Sequence, residues 1–453
     1  MRETLVMCVA ASLCMALVFC NGKIRQAKPD VGCSEACSVC EEAAKAEDYE
    51  KAIECYTEAI RLNPNCAEAY HGRGINADLP AGGYEQAIAD LDEAIRLKPD
   101  YTEAYRNRGV VYLVIGDINQ AIANLDKAIR LDPKSVDAYS NRGAAYSLVG
   151  DYDQAIADYT KAIQLNPPNQ EAIILYYNRG IAYMAKKDFD KAIADYTETI
   201  RLDPDSAGLI DPNKAGSLYT SRGDAYNIKK DYDRAISDYT EAIRLNPNNV
   251  AAYSNRGVAY EAKGEYDKAI ADYNEAIEQN PAFVQAYKNR GSLYEDRKDY
   301  DLAIEDYTEA IRLDEGAVGV YYRRAQTYFD KGDYDRAIDD YSESIRLGLN
   351  SAMVYNNRGY AYAKKGEYDN AIEDCDEAIR IDPDDPYAHD SRGYAYMGKK
   401  EYNKAIEDFE TALRLYPNTE EEQENITEVK KNLEDARKKL EETKKQNKTG
   451  GKK

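Results

Sequence analysis

Small and aromatic residues recur at helical spacing twice within the stretch Val250–Phe283. Each half carries three residues spaced i, i+4 and i+7: Tyr253, Gly257, Tyr260, Ala269, Tyr273 and Ala276. A polar turn around Gly264 separates the halves, and Pro281 closes the stretch. The pattern predicts two α-helices that form an antiparallel hairpin.

This unit recurs along the chain at 34-residue intervals, so that Gly257 returns as Gly291 and Gly109 returns as Gly143. Glycine inside a helix costs about 1 kcal/mol relative to alanine. We therefore expect Gly257 to permit close approach of the second helix, with Ala269 opposite. Because each hairpin buries its apolar side only against its neighbours, the repeats predict an all-α solenoid.

The recurring set resembles the tetratricopeptide repeat (TPR) family. Its aromatic, Gly, Tyr, Ala, aromatic, Ala and Pro positions correspond to Tyr253, Gly257, Tyr260, Ala269, Tyr273, Ala276 and Pro281. Tyr replaces the family's first Trp, and the chain has no Trp. Over residues 33–419 the resemblance implies a right-handed α-solenoid of about eleven hairpins, which acts as a scaffold or adaptor for a protein or peptide partner.

The two ends of the chain differ from the repeats. A stripe of apolar residues amid Glu and Lys predicts a capping helix over 420–446, with a short coiled coil as the alternative: Ile426, Val429, Leu433, Ala436 and Leu440. Residues 447–453 are predicted to be disordered. Within the repeats, residues 207–215 interrupt the register as an insertion.

The N-terminal segment predicts export. Arg2 precedes an uncharged run, Leu5–Phe19, of 15 residues, which is shorter than the roughly 20 needed to span a bilayer. Residues 1–20 therefore read as a signal peptide and 21–32 as a tether. Cys20 ends a segment that resembles a lipoprotein box, although Phe19 departs from the small residue preferred there.

Lipidation of Cys20, simple cleavage, and an uncleaved anchor or absence of export all remain open. The protein is expected to be periplasmic or membrane-anchored in a bacterium and secreted otherwise. A lipid at Cys20 would attach it to a membrane. A second interpretation of function follows, namely a structural assembly factor or accessory lipoprotein at a membrane surface.

Five of the nine cysteines fall in the first repeat: Cys33, Cys37, Cys40, Cys55 and Cys66. Residues equidistant from the turn of an antiparallel hairpin face one another. This places Cys40 near Cys55, and Cys33 or Cys37 near Cys66. In an exported protein the pattern predicts one or two disulfides, while a metal site on the Cys37–Cys40 CxxC and inert buried thiols are the alternatives.

Charge and residue inventory disfavour several functions. The formal net charge is −22, which argues against a nucleic-acid partner because such partners need a basic surface. The two histidines, His71 and His389, are far apart in sequence, and no phosphate-binding or metal-binding motif accompanies them. The sequence predicts a non-enzyme without cofactor or resident metal.

Two polar positions recur beside the glycine. An Arg precedes it in most copies, and an Asp precedes the aromatic residue of the second helix, as in Arg256 and Asp272. Hairpin geometry brings these positions together and predicts a ladder of ion pairs within the repeats. An anion-binding track formed by the arginines is the weaker alternative.

Asparagine stands one residue before that Arg in six copies: Asn107, Asn141, Asn178, Asn255, Asn289 and Asn357. In TPR proteins this position faces the concave groove, and the series resembles the asparagine arrays that hold an extended peptide by its main chain. An alternative is that each Asn only solvates or caps its own repeat. Variable neighbours predict an apolar front half and an aromatic back half of the groove, the latter from Phe329, Tyr360 and Tyr394, although such stripes are more often core.

Overall fold

The computed structural model describes residues 40, 49–76, 83–202, 212–417 and 419–450, and every regular element in these ranges is an α-helix. The prediction of an all-α repeat fold is confirmed. The chain forms two compact units, Met1–Pro247 and Asn248–Lys453. None of the helices in the described ranges is long and apolar enough to cross a membrane.

The first unit contains eleven helices among its described residues. They are α1 (Tyr49–Leu62), α2 (Ala67–Ile75), α3 (Tyr84–Leu97), α4 (Thr102–Val114), α5 (Ile118–Leu131), α6 (Val136–Val149), α7 (Tyr152–Gln164), α8 (Asn169–Ala185), α9 (Phe189–Leu202), α10 (Pro212–Ile228) and α11 (Tyr232–Leu245). Even-numbered helices are the first helices of hairpins, and odd-numbered helices are the second.

The second unit contains five hairpins and a terminal helix. Its helices are α12 (Val250–Ala262), α13 (Tyr266–Gln279), α14 (Val284–Asp296), α15 (Tyr300–Leu313), α16 (Val318–Asp330), α17 (Tyr334–Arg346), α18 (Ala352–Lys365), α19 (Tyr368–Ile381), α20 (Pro386–Gly398), α21 (Tyr402–Leu415) and α22 (Gln423–Gly450). α22 continues four residues into the segment for which the sequence predicts disorder.

Local sequence explains the turn between α12 and α13. In the hairpin α12–α13, Gly264 adopts φ +77°, a left-handed conformation that costs glycine little. This allows the backbone N–H of Glu265 to donate to the carbonyl oxygen of Tyr260 at 2.9 Å. The bond gives a partner to a carbonyl group in the last turn of α12. The Asn249 side chain accepts from the N–H of Ala252 and caps the start of α12.

In six hairpins of the described ranges, including α12–α13, an aromatic ring lies on the glycine of the first helix. Ala269, Tyr273 and Ala276 are fully buried. A Cβ atom added to Gly257 would lie 2.5 Å from Cε1 of Tyr273. The expectation that Ala269 explains Gly257 is therefore corrected, because the atoms nearest to the glycine belong to the Tyr273 ring.

A bidentate ion pair joins the two helices of nine hairpins. In the hairpin α18–α19, Nε and Nη2 of Arg358 each donate to the Asp374 carboxylate at 2.7 Å. The same geometry recurs at Arg73–Asp90, Arg142–Asp158, Arg179–Asp195, Arg222–Asp238, Arg256–Asp272, Arg290–Asp306, Arg324–Asp340 and Arg392–Asp408. Arg324 and Asp90 were missed in the sequence because their neighbours depart from the repeat pattern.

The remaining nitrogen of the guanidinium links neighbouring hairpins. Nη1 of Arg358 donates to the hydroxyl of Ser342 in the preceding hairpin at 2.9 Å, and Nη1 of Arg142 donates to Asp126 at 2.6 Å. The guanidinium carbon of Arg358 also lies 5.7 Å from the centre of the Tyr355 ring. One arginine therefore fixes the hairpin internally and against its neighbour.

The first helices of neighbouring hairpins contact each other, as α4 does with α6 and α18 with α20, whereas no two second helices do so to the same extent in the described ranges. In each unit taken by itself, the surface formed by its even-numbered helices is called the first-helix face below; these are α2–α10 in the first unit and α12–α20 in the second. The terminal helix α22 packs on α21 and α20. Its residues Ile426, Val429 and Ala436 are buried against Phe409 and Ala412, so it covers the apolar side of the last hairpin.

The structure joins Cys40 to Cys55 in a disulfide with a Cα–Cα distance of 5.3 Å. Cys66 is also disulfide-bonded. Cys375 is free and fully buried, and burial raises the pKa of its thiol. The candidates Cys33, Cys37 and Cys20 lie outside the described residues.

The glycine position gives a first prediction. Gly257→Ala is expected to destabilise the second unit by about 1–3 kcal/mol, because the buried Tyr273 ring would have to move. Gly319→Ala is the control: it also lies in a first helix, but its added Cβ would meet no atom within 4 Å. It should stabilise by about 0.5–1 kcal/mol. Urea unfolding measures both, and equal effects would contradict the packing described.

The ion pair gives a second prediction. The side chains of Asp374 and Arg358 are 8% and 18% exposed, so Asp374→Leu should cost about 3–5 kcal/mol by leaving a buried guanidinium unpaired. Adding Arg358→Met should recover much of that loss. Arg380→Ala breaks an exposed pair with Glu377 and should cost about 1 kcal/mol or less. Urea unfolding with hydrogen exchange measures the series, and an Asp374→Leu effect as small as that of Arg380→Ala would refute the role of the pair.

Candidate functional site on the first-helix face

The asparagine positions bridge neighbouring first helices. Nδ2 of Asn357 donates to the hydroxyl of Tyr322 at 3.0 Å, and Nδ2 of Asn289 donates to the hydroxyl of Ser254 at 3.3 Å. In both cases the partner belongs to the preceding hairpin and stands just before that hairpin's own asparagine position. The bonds orient these amides in advance of any ligand.

The same bridge occurs in the first unit between Asn107 and His71. Nδ2 of Asn107 lies 2.8 Å from Nε2 of His71. Burial, aided by the positive charges of Arg106 and Lys98, lowers the pKa of His71 to about 3. The ring is therefore neutral near pH 7, and its Nε2 accepts the hydrogen bond from the Asn107 amide.

The side chains of the six predicted asparagines are not equally exposed to solvent. Asn107, Asn178, Asn255, Asn289 and Asn357 are half-buried, whereas Asn141 is only 6% exposed. Asn178 makes no side-chain hydrogen bond with any residue that the structure describes, and Oδ1 of Asn107 accepts none there. Two buried donors also lack an acceptor within the described part of the chain, Nδ2 of Asn141 and Nε of Arg106.

The second unit brings the three predicted aromatic residues together. Phe329 of α16 lies 5.5 Å from Tyr360 of α18, and Tyr360 lies 5.8 Å from Tyr394 of α20, measured between ring centres. The ammonium of Lys364 stands 4.6 Å from the centres of both tyrosine rings. These rings thus form a contiguous aromatic cluster across three first helices.

Two buried acceptor atoms flank this cluster. Oδ1 of Asn356 in α18 and Oδ1 of Asp390 in α20 are buried and receive no hydrogen bond from the described residues. Burial, reinforced by the charge of Glu428 and opposed by that of Lys364, raises the pKa of Asp390 to about 7. Neither residue was singled out in the sequence. Their shared signal is the variable position just before the asparagine series, which also holds His71, Ser254 and Tyr322.

The histidines do not come together in a site. His71 takes part in the bridge to Asn107, and His389 in the second unit has its Nδ1 3.4 Å from Asp408 and its Nε2 3.3 Å from the carbonyl oxygen of Pro383. Among the described residues, no group of His, Cys, Asp and Glu is arranged to hold a metal ion.

Comparison with protein families matches most of the chain. Models described as "Tetratricopeptide repeat" or "TPR repeat" match residues 44–75, 76–116, 114–150, 136–169, 173–206, 223–264, 250–283, 284–316, 322–386 and 386–419. The chain belongs to the tetratricopeptide repeat family. TPR folds generally serve as non-enzymatic scaffolds for protein–protein interaction. No curated protein sequence matches the chain.

Several solved TPR structures are similar to parts of the chain. The MamA protein is 30% identical over 39% of this chain and 94% of its own, with a TM-score of 0.35. YrrB, described as a TPR protein with an unusual peptide-binding site, is 22% identical over 43% of this chain and 95% of its own, with a TM-score of 0.38. A TPR protein from Parabacteroides merdae is 22% identical over 58% and 99%, with a TM-score of 0.41. Family membership rests on the repeat models rather than on these likenesses.

Asp390 gives a third prediction. Its folded-state pKa of about 7 lies above the value of about 3.9 for an unfolded chain. The stability that it contributes is complete below pH 4 and is lost as the pH rises through 7. Asp390→Asn cannot lose a proton, so it does not suffer this loss. The difference between the melting midpoints of the variant and the parent should therefore shift in favour of the variant by a few degrees from pH 4 to pH 8.

Asp384→Asn is the matched control, since Asp384 is exposed in the turn before α20. It should follow the parent at every pH. A constant offset between the parent and Asp390→Asn from pH 4 to 8 would contradict the raised pKa. Scanning calorimetry at several pH values makes the measurement.

Proposed function

We propose that this TPR protein is a non-enzymatic scaffold or adaptor that binds an extended polypeptide on its first-helix face, through Asn107, Asn141, Asn178, Asn255, Asn289 and Asn357. The observation that carries the proposal is the bridging of neighbouring hairpins by Asn107, Asn289 and Asn357. An amide that is already oriented loses less conformational entropy when a ligand binds.

The chemistry of the amide suits a main-chain partner. An asparagine side chain both donates and accepts, so it can pair with an N–H or a C=O of an extended peptide. In Asn178 both the donor and the acceptor of the side-chain amide are available to a ligand, and in Asn107 the acceptor Oδ1 is available. Two of the six are less available: the orphan Nδ2 of Asn141 is buried and becomes reachable only if the side chain moves, and Oδ1 of Asn289 already accepts from Nε2 of Gln285 at 2.7 Å. Each bond contributes only about 0.5–1.5 kcal/mol, so affinity depends on several positions together.

Export, lipidation at Cys20 and a structural assembly role at a membrane surface stay predictions from the sequence. They rest on residues 1–39, which lie outside the described ranges. The negative net charge of −22 continues to favour a protein partner over nucleic acid.

The fourth prediction tests main-chain recognition with an array of unstructured dodecapeptides. The parent protein should bind a subset of them. The double variant Asn107→Ala/Asn178→Ala should bind the peptides that occupy the first unit with an affinity about tenfold to a hundredfold lower. Methylating alternate main-chain nitrogens of those peptides should weaken binding similarly, because it removes N–H donors. Fluorescence anisotropy measures the affinities.

The control variant is Asn370→Ala/Asn403→Ala, which removes two exposed asparagines from second helices and should bind like the parent. Circular dichroism should show that all variants stay folded. Failure of the parent to bind any peptide, or indifference to both the double variant and the N-methyl groups, would refute the proposal.

A further inference from the structure

Two hydrogen-bond acceptors in the second unit lack donors. Asn356 is 8% exposed, and its Oδ1 is buried without a hydrogen bond, as is Oδ1 of Asp390, within the described ranges. The two residues lie on α18 and α20, which pack directly against each other. A buried polar atom without a partner costs about 1–3 kcal/mol. As at Asn141, these buried atoms become reachable only if their side chains move, and a donor supplied from outside the chain would then remove that cost.

Tyrosine follows each orphan acceptor by one helical turn. Asn356 precedes Tyr360 by four residues, and Asp390 precedes Tyr394 by four, so each acceptor and its ring share one side of a helix. The two rings meet edge to face at 5.8 Å. Acceptors and π faces are thus presented together on the first-helix face.

Lys364 shows that these rings accommodate a cation. Its ammonium lies 4.6 Å from both ring centres, within the roughly 6 Å over which aromatic faces attract positive charge. Lys364 makes no ion pair with any described residue, although its charge and that of Glu428 both act on Asp390. The protein's own side chain occupies the rings and leaves the acceptors unsatisfied.

We propose that Asn356, Tyr360, Asp390 and Tyr394 form a binding site for a positively charged side chain, a lysine or arginine of the polypeptide partner. This inference rests on the proposed function and assigns chemistry to the partner. Ammonium and guanidinium groups carry three and five donors and no acceptor, which suits a site of acceptors and π faces. Glutamate would add a third carboxylate beside Asp390 and Glu428, and it would be rejected.

Lys364 then acts as an internal competitor. A partner's cation has to displace its ammonium from the two rings before it can reach both. Removing that ammonium while keeping an apolar side chain, as in Lys364→Met, should therefore strengthen binding of a cationic peptide. A site for an acidic peptide would respond in the opposite way, because Lys364 would be its cation.

The test uses the full chain and three fluorescein-labelled peptides of alternating Gly and Ser that differ only at four positions, filled by arginine, norleucine or glutamate. The arginine peptide should bind at least tenfold more tightly than the other two. Tyr394→Leu and Asp390→Asn should each weaken the arginine peptide about fivefold or more, and Lys364→Met should strengthen it about threefold or more. Asp384→Asn makes the same charge change in an exposed turn, and this control should bind like the parent.

The outcomes separate this inference from the proposed function. Equal binding of the arginine and norleucine peptides, still sensitive to N-methylation, would overturn the cation site and leave main-chain recognition intact. Preferential binding of the arginine peptide that Asp390→Asn weakens but N-methylation does not would overturn main-chain recognition and support the cation site. Weaker binding in Lys364→Met, or an arginine preference unchanged by both Asp390→Asn and Tyr394→Leu, would overturn the assignment of this site.

Discussion

The bidentate pair between a first-helix arginine and a second-helix aspartate is the constraint on which the repeats depend. The guanidinium uses two nitrogens within its hairpin and a third toward the preceding hairpin, as Arg358 does with Asp374 and Ser342. The planar fork of arginine makes this division possible, and lysine could not reproduce it. The pair is largely buried, and it joins the two helices of a hairpin to each other and, through the third nitrogen, to the preceding hairpin. In hairpins such as α12–α13, the tyrosine on the helix glycine fills the space that remains.

This arrangement leaves the first-helix face free to differ between repeats. The ion pair and the core of Ala and Tyr recur from hairpin to hairpin, whereas the position before each asparagine holds such different residues as His71, Ser254, Tyr322, Asn356 and Asp390. The chemistry therefore differs between the units. Among the described residues, the first unit has orphan donors at Arg106 and Asn141 and an orphan acceptor at Asn227, whereas the second has orphan acceptors at Asn356 and Asp390.

The repeated part of the molecule could be predicted from the sequence, and the unrepeated part could not. Helix boundaries and the Arg–Asp pairing follow from a 34-residue period, because each copy gives independent evidence for the same contact. The Gly257 contact was assigned to Ala269 instead of Tyr273, since spacing identifies facing helices but does not say which side chain lies across a glycine. Asn356 and Asp390 were not predicted as site residues. Whether a buried oxygen lacks a hydrogen-bond donor depends on the side chains of the neighbouring hairpin, and the residue type at one repeat position does not give that information.

Weak contacts of these kinds become selective only in combination. An oriented amide recognises any extended main chain, so the asparagine series by itself distinguishes poorly between partners. A chain with a net charge of −22 disfavours acidic segments in general, and a cation site beside Asp390 would add discrimination at one position of the bound segment. Rejection of the wrong partner and attraction of the right one then come from different parts of the protein. The internal ammonium of Lys364 lowers affinity for single cations, so binding favours a partner that also engages several asparagine positions.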